Sequence, residues 1–201
     1  MLVEEKLIGR KNSFCKTRRG ERKMVSRTKE KLAEAFKAVV CRKTFSKTTI
    51  SDITTECGMT RENFYYHFHD KYDILDWVFK NQLLVRETEN VENMTVEEMT
   101  LLFIHNINKD YTFYRIIVKD IGPDQIRKEV FPYIEEATRR FVEDSMDKNI
   151  WKMRKEKEHF AVEYFTDAFI SFITNYLLEH KEMDEKMMVT NFHFLYTQFF
   201  G

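Results

Sequence analysis

Glycine and proline are scarce in this chain, five and two among 201 residues. Sheet proteins place both at turns, so their shortage beside many Lys, Glu, Leu, Met and Phe excludes a strand-rich fold and predicts a mostly helical one. Cysteine is sparse too. Cys15, Cys41 and Cys57 form an odd set without paired metal-ligand spacing, which excludes a disulfide framework and points to a reducing, cytoplasmic setting. No run of about 18 apolar residues occurs, and the basic N-terminus lacks the apolar core and small-residue cleavage site of a secretory signal. What the chain does have is 43% hydrophobic content and enough length to bury a core without a metal or disulfide staple.

Net charge is also absent, with 33 Lys and Arg against 33 Asp and Glu. The balance hides an asymmetry. Residues 1–87 carry 19 basic and 12 acidic side chains, while residues 88–201 carry 14 and 21. Either two solvated faces differ by chance, or a basic module that meets a polyanion is joined to an acidic one that does not. Residues 1–23 hold eight basic and three acidic groups and account for most of the surplus. They show no helical stripe and read as a flexible arm that adds phosphate contacts or enters a minor groove. The other reading is that they are not native: Gly20-Glu21-Arg22-Lys23 can be encoded by an all-purine string directly before Met24, the signature of a translated ribosome-binding site, which makes Met24 the expected start.

Leu32, Ala35, Phe36, Val39 and Val40 follow the spacing of an amphipathic helix over about 27–42. Thr49 and Asp52 form a capping-box signature that starts a second, short helix, and Gly58 is placed to end it in a left-handed turn. Thr60 is the next N-cap, opening a third helix from Arg61 to about His67, and Asp70 caps a fourth over about 71–89. Two short helices joined by a tight Gly-containing turn after a longer one outline a helix-turn-helix. Beyond it, Thr95 and Glu98 form a second capping box, a helix covers about 113–121, and Gly122-Pro123-Asp124 breaks the pattern. Helices are expected over about 124–150, with a kink or restart at Pro132, and over 156–180 and 184–200.

A recognition helix needs polar side chains at its N-terminal end, where base edges are reached, and hydrogen-bonding aromatics or cations beside phosphates. Arg61, Glu62 and Asn63 followed by Tyr65, Tyr66 and His67 meet that demand. Arg suits guanine, Asn adenine and Glu cytosine. Phe64 and Phe68, four apart, are free to pack inward. Three adjacent hydrogen-bonding rings cannot all face one core, so at least one of Tyr65, Tyr66 and His67 points outward.

The stretch Thr48-Thr49-Ile50-Ser51-Asp52-Ile53-Thr54-Thr55-Glu56-Cys57-Gly58-Met59-Thr60, then Phe64-Tyr65-Tyr66-His67-Phe68 and Lys71-Tyr72-Asp73-Ile74-Leu75, resembles without a gap the DNA-binding domain of the TetR family of bacterial transcription regulators. The resemblance implies an all-α fold with an N-terminal helix-turn-helix headpiece over 27–87 and a C-terminal helical ligand and dimerisation domain over 88–201, with 1–26 as arm or extension. It implies that Thr48, Thr49, Tyr65, Tyr66, His67 and Lys71 meet phosphates, that Thr60 opens the reading helix, and that Arg61 and Asn63 face bases. Thr54, Cys57 and Glu62 depart from the family pattern, and Glu62 bears on base preference because a carboxylate near phosphates repels. Asn63 to Phe68 with Asp70 to Trp77, and later Thr112-Phe113-Tyr114-Arg115, look like a narrower branch that includes activators of dihydroxyacetone kinase operons. Some of its members work through a partner protein that senses the metabolite. Repressor is the reading that the family as a whole implies, whereas this branch includes activators, and the sequence does not name the sign.

In the family the last two long helices pair with their copies. Phe165, Phe169, Phe172, Ile173 and Tyr176 with Phe192, Leu195, Tyr196 and Phe199 would supply that seam, and the same residues would equally serve a monomer core. Phe103, His105, Tyr114 and Phe169 are candidates to line a ligand pocket, with ordinary core as the other reading. His67 and His69, two apart on a helix, point to different faces, so no metal is expected. No cofactor motif or catalytic constellation stands out. The expected partners are a double-stranded DNA operator, a second copy of the chain, and a small-molecule effector or co-regulator protein, with no membrane. The rival is a helical adaptor that acts by protein contact without DNA.

Overall fold

The computed structural model describes residues 27–84, 95–145, 155–179 and 182–200, and all of its regular elements there are helical. The arm, Met24 and Cys15 lie outside the described residues. The chain divides into two compact units, one of residues up to Val39 with Thr49–Ile74, the other of Val40–Thr48 with Leu75–Gly201.

The first unit holds most of helix α1 (27–43), α2 (Ile50–Cys57), α3 (Arg61–His67) and the start of α4 (Lys71–Val78). Leu32, Ala33 and Phe36 of α1 are fully buried, as are Ile53, Phe64 and Ile74. Each large apolar side chain removed from water contributes about 1.5–3 kcal/mol, so this small set closes a core without help from metal or disulfide. Both expected caps form. Thr49 and Asp52 make the reciprocal box on α2, with Asp52 N–H donating to Thr49 Oγ1 at 3.2 Å and Thr49 N–H to Asp52 Oδ2 at 3.1 Å. Gly58 ends the helix at φ 66, its N–H directed to the Thr54 and Thr55 carbonyls. Only glycine takes that left-handed angle without a Cβ penalty. Asp70 Oδ1 accepts from the N–H groups of Tyr72 and Asp73 at 2.7 and 3.0 Å and so caps α4.

In the second unit, α4 does not run on to 89 as one α-helix. It passes at Phe79 into a π-helical turn, Phe79–Leu83. Asn81 Nδ2 donates to the Trp77 carbonyl at 2.8 Å, and Leu84 N–H reaches back five residues to the Phe79 carbonyl at 3.0 Å. A side chain taking a carbonyl of the ladder is a known cause of such a switch. Residues 85–89 lie outside the described residues.

Then follow α5 (Val96–Lys109), α6 (Tyr111–Ile121), α7 (Pro123–Ser145), α8 (Lys155–Glu179) and α9 (Glu185–Phe200). Thr95 and Glu98 make the second expected capping box. Gly122, at φ 83, separates α6 from α7, and Pro123 is the first residue of α7, where a missing N–H costs nothing. Pro132 produces no restart: α7 runs through it. Pro132 and Lys128 one turn before it are both exposed, so this face of α7 is the solvent side of the helix.

Helices α7 and α8 make the most extensive pairing, and α5 packs along α9. Arg127 of α7 forks onto Asp167 of α8 with 2.5 and 2.9 Å contacts. Asn108 of α5 makes two bonds to the Met183 backbone, donating to its carbonyl at 2.7 Å and accepting from its N–H at 2.9 Å. His105 pairs with Glu185 and Glu97 with His193, which fixes α5 and α9 antiparallel. Among the described residues no helix is long and apolar enough to cross a membrane.

Candidate nucleic-acid interface

Helix α3 has seven residues and one inward anchor, Phe64, fully buried and 5.8 Å from the Phe68 ring. Because Phe64 fixes the helix rotation, its neighbours are turned out. Arg61, Glu62 and Asn63 are exposed, as are Tyr65 at 51% and Tyr66 at 78%. The tyrosines are braced edge-on, Tyr65 against Phe64 and Tyr66 against His67, with centroids 5.8 and 4.8 Å apart. Such bracing leaves the phenol oxygens in water while limiting the rotamer freedom that binding would otherwise have to remove.

The N-terminal end of α3 is closed by its own side chains. Thr60 Oγ1 accepts from Asn63 N–H at 3.2 Å. Glu62 is bonded by its own backbone N–H and by the Thr60 hydroxyl, with Arg61 adding attraction, and these hold its carboxyl below the usual range. The carboxylate stays charged at the N-terminal end of the helix, where the dipole favours it, and so keeps its bearing on which bases and phosphates this end can approach.

Of the residues proposed from sequence for this face, Thr49, Thr60, Arg61, Asn63, Tyr65 and Tyr66 are exposed, while His67 and Lys71 are half-buried. Thr48 is different. It is buried at 3%, and its hydroxyl donates to the Thr44 carbonyl at 2.7 Å, so it is committed to the turn and not presented to a phosphate. His67 is held below its ordinary pKa by burial and then by Lys29. Lys29 is the cation that sequence reading missed. Its Nζ stands 5.2 Å from the centre of the Phe68 ring, and the only hint in the sequence is its place one turn ahead of the buried Leu32 and Ala33. Tyr72, 52% exposed in the first turn of α4, was also missed. His69 turns to Asp73, 3.1 Å away, and among the described residues no group of three His, Cys, Asp or Glu is placed to hold a metal.

In the second unit Phe103, Tyr114 and Phe169 line one cavity of about 40 Å³, with Ile117, Val130 and Ile170 among its other walls. His105 lies outside it, exposed and paired with Glu185 at 3.0 Å; a histidine near an apolar stripe reads like a pocket residue until its partner eighty positions away is seen. Along the expected seam, Phe172 is 46% exposed and Leu195 43%, and Phe194 beside it, not among the expected residues, is 60% exposed. Phe165, Tyr176 and Phe192 are half-buried, Phe192 meeting Phe169 and Phe172 at 4.9 and 5.8 Å. Ile173 belongs to the protomer core, buried at 4% on the cavity wall. The Tyr196 and Phe199 side chains lie outside the described part. Phe160 and Tyr164, stacked at 6.1 Å and 69% and 60% exposed, lie about three and two turns before Phe172 on α8 and were missed.

A family model described as bacterial regulatory proteins, tetR family, matches residues 38–78, and one described as transcriptional regulator C-terminal region, of the TetR type, matches residues 94–198, just over half of the chain. The chain is 24% identical over 90 residues to the HTH-type dhaKLM operon transcriptional activator DhaS of Lactococcus lactis subsp. lactis (strain IL1403). That match spans 45% of this chain and about half, 48%, of the relative. A solved structure titled dihydroxyacetone kinase operon activator DhaS shares the fold at a TM-score of 0.64 and 19% identity, over 86% of this chain and 97% of that one. The chain belongs to the TetR family of bacterial transcriptional regulators.

Proposed function

We propose that this regulator works as a homodimer in the cytoplasm and that each protomer lays α3 in the major groove, the two recognition helices standing about one DNA turn, roughly 34–36 Å, apart. Residues 27–87 form the DNA-binding headpiece and 88–201 the regulatory and dimerisation part. Arg61 and Asn63 read base edges. Thr49, Thr60, Tyr65, Tyr66, His67 and Lys71 position the headpiece on phosphates. The observation that carries this reading is the outward row of Arg61, Asn63, Tyr65 and Tyr66 on a helix anchored by Phe64. Both relatives are operon activators by name, which supports activation as the sign and a dihydroxyacetone kinase operon as the target.

For the effector, the cavity size supports one reading over the other. Pockets for small molecules run to about 300–1,000 Å³, whereas this one offers about 40 Å³ and is almost wholly apolar. A co-regulator protein acting on the second unit is therefore favoured over a small molecule held in that cavity. The test is a titration of labelled duplex carrying the protein's own upstream sequence. Salt-sensitive, sequence-selective binding supports the regulator; no binding at low salt supports a protein-contact adaptor.

A further inference from the structure

Asp120 sits where helix electrostatics disfavours it. It lies in the last turn of α6, at the negative end of the helix dipole, where a cation is the stabilising choice. Its carboxylate is engaged elsewhere. Oδ2 accepts from the Ser46 backbone N–H at 2.7 Å, across 74 positions of sequence. Partial burial works against the charge, but the Ser46 N–H and hydroxyl, the Thr44 hydroxyl and the Phe45 N–H outweigh it and hold the carboxyl below its ordinary value.

The turn that Asp120 grips is itself unusual. Thr44 adopts φ 74, a left-handed angle that a β-branched residue holds only when its surroundings over-determine it. Thr44 and Ser46 hydroxyls lie 3.2 Å apart, Phe45 is buried, and Thr48 closes the turn by donating its N–H to the Phe45 carbonyl at 3.2 Å. The next residue is Thr49, the cap of α2. The other end of the connection is the cavity. Tyr114, Ile117 and Val118 of α6 form one of its walls, facing Val130 of α7 and Ile170 of α8. The cavity offers about 40 Å³, so the side chains of α6 that line it are close to those of α7 and α8 across it. Gly122, at φ 83, ends α6 two positions after Asp120.

We propose that Asp120 is a positioning residue that latches the turn ahead of α2 to α6, so that a shift of α6 caused by the effector reaches the DNA-reading helices through the Thr48–Thr49 link. This rests on the reading of the chain as an effector-controlled DNA-binding regulator and names the residue through which control passes.

The experiment is a double-mutant cycle on the full chain, read as affinity for duplex DNA from its own upstream region. Val130→Phe overfills the cavity and displaces α6 without touching the latch. It is expected to change operator affinity about fivefold or more in the wild-type background, and by less than about twofold beside Asp120→Ala. Asp120→Asn, which keeps one acceptor for the Ser46 N–H, recovers part of the effect. If Val130→Phe fails to fold, Val130→Leu takes its place, and the Ser46 amide is followed by hydrogen exchange, expected to be faster in Asp120→Ala. An equal Val130 effect with and without Asp120, no effect in the wild type, or unchanged Ser46 exchange overturns the latch. Absence of selective DNA binding by the wild type overturns the regulator reading itself, and the latch with it; selective binding with independent substitutions overturns the latch alone.

Discussion

Lys29 Nζ stands 5.2 Å from the centre of the Phe68 ring, and its charge also reaches His67 and Asp73. This places a cation of α1 beside the end of the recognition helix, where it adds to the effect of burial on His67. His67 lies below its ordinary value of 6.5, first by burial and second by Lys29. The folded state thus prefers the neutral imidazole, and the unfolded chain binds the proton more readily. Stability from His67 is complete above 6.5 and is lost as pH falls from 6.5 through the lower folded value. Lys29→Met should move the His67 titration up, followed by NMR of its ring protons; an unmoved midpoint would contradict the assignment. If His67 meets a phosphate, binding should take up a proton near this pH, and affinity should rise on acidification.

Two tethers of the second unit differ in kind, and magnitude separates them. Asn108→Ala strands the N–H and carbonyl of Met183, which is buried at 3%. The expected cost is about 2 kcal/mol. Arg127→Ala breaks an ion pair whose partners are 43% and 38% exposed, so solvent and salt screen it and about 1 kcal/mol or less is expected. Urea unfolding midpoints of the two variants decide the order. A larger loss for Arg127→Ala would show that charge outweighs buried hydrogen bonding here.

The α2 cap offers a local comparison. Asp52→Ala removes one half of the capping box and should lower stability by about 1 kcal/mol. Because Thr49 stays in place, operator affinity measured well below the unfolding midpoint should change little. A large loss of affinity at unchanged stability would instead make Asp52 part of the interface.

In the proposed dimer the seam is the apolar ladder of α8 with the exposed face of α9. Phe172→Arg places a charge at a ring that is 46% exposed in the protomer, so the fold should tolerate it while self-association is lost. Sedimentation at micromolar concentration should show a monomer with wild-type helicity. A dimer that persists would move the seam away from Phe172.

Local chemistry was legible in the sequence because its partners lie within one turn. Thr49 with Asp52, Gly58, Thr60, Asp70 and Thr95 with Glu98 all do what their residue types dictate, and Phe64 with Phe68 declared the buried side of α3. Long-range chemistry was not legible. Nothing near His105 announces Glu185, nothing near Asn108 announces Met183, and Asp120 shows only that an acid stands at a helix end that prefers a base. Thr48 looked like its neighbour Thr49 until burial separated them. Pro132 and Asn81 show the converse: α7 runs through Pro132 without the restart its residue type allows, while an ordinary asparagine that donates to the Trp77 carbonyl stands in the π-helical turn.

The central claim is that α3 and the start of α4 engage DNA through placed contacts. It is tested most directly by measuring the affinity of the wild type, Lys71→Ala and Asn63→Ala for duplexes carrying the protein's own upstream sequence and single-base variants of it, across a salt series. Lys71→Ala should weaken binding on every sequence and reduce the salt slope by about one, and Asn63→Ala should relax preference at one position at a cost of about 1–3 kcal/mol. Unchanged affinity and slope for Lys71→Ala, together with unchanged base preference for Asn63→Ala, would contradict it.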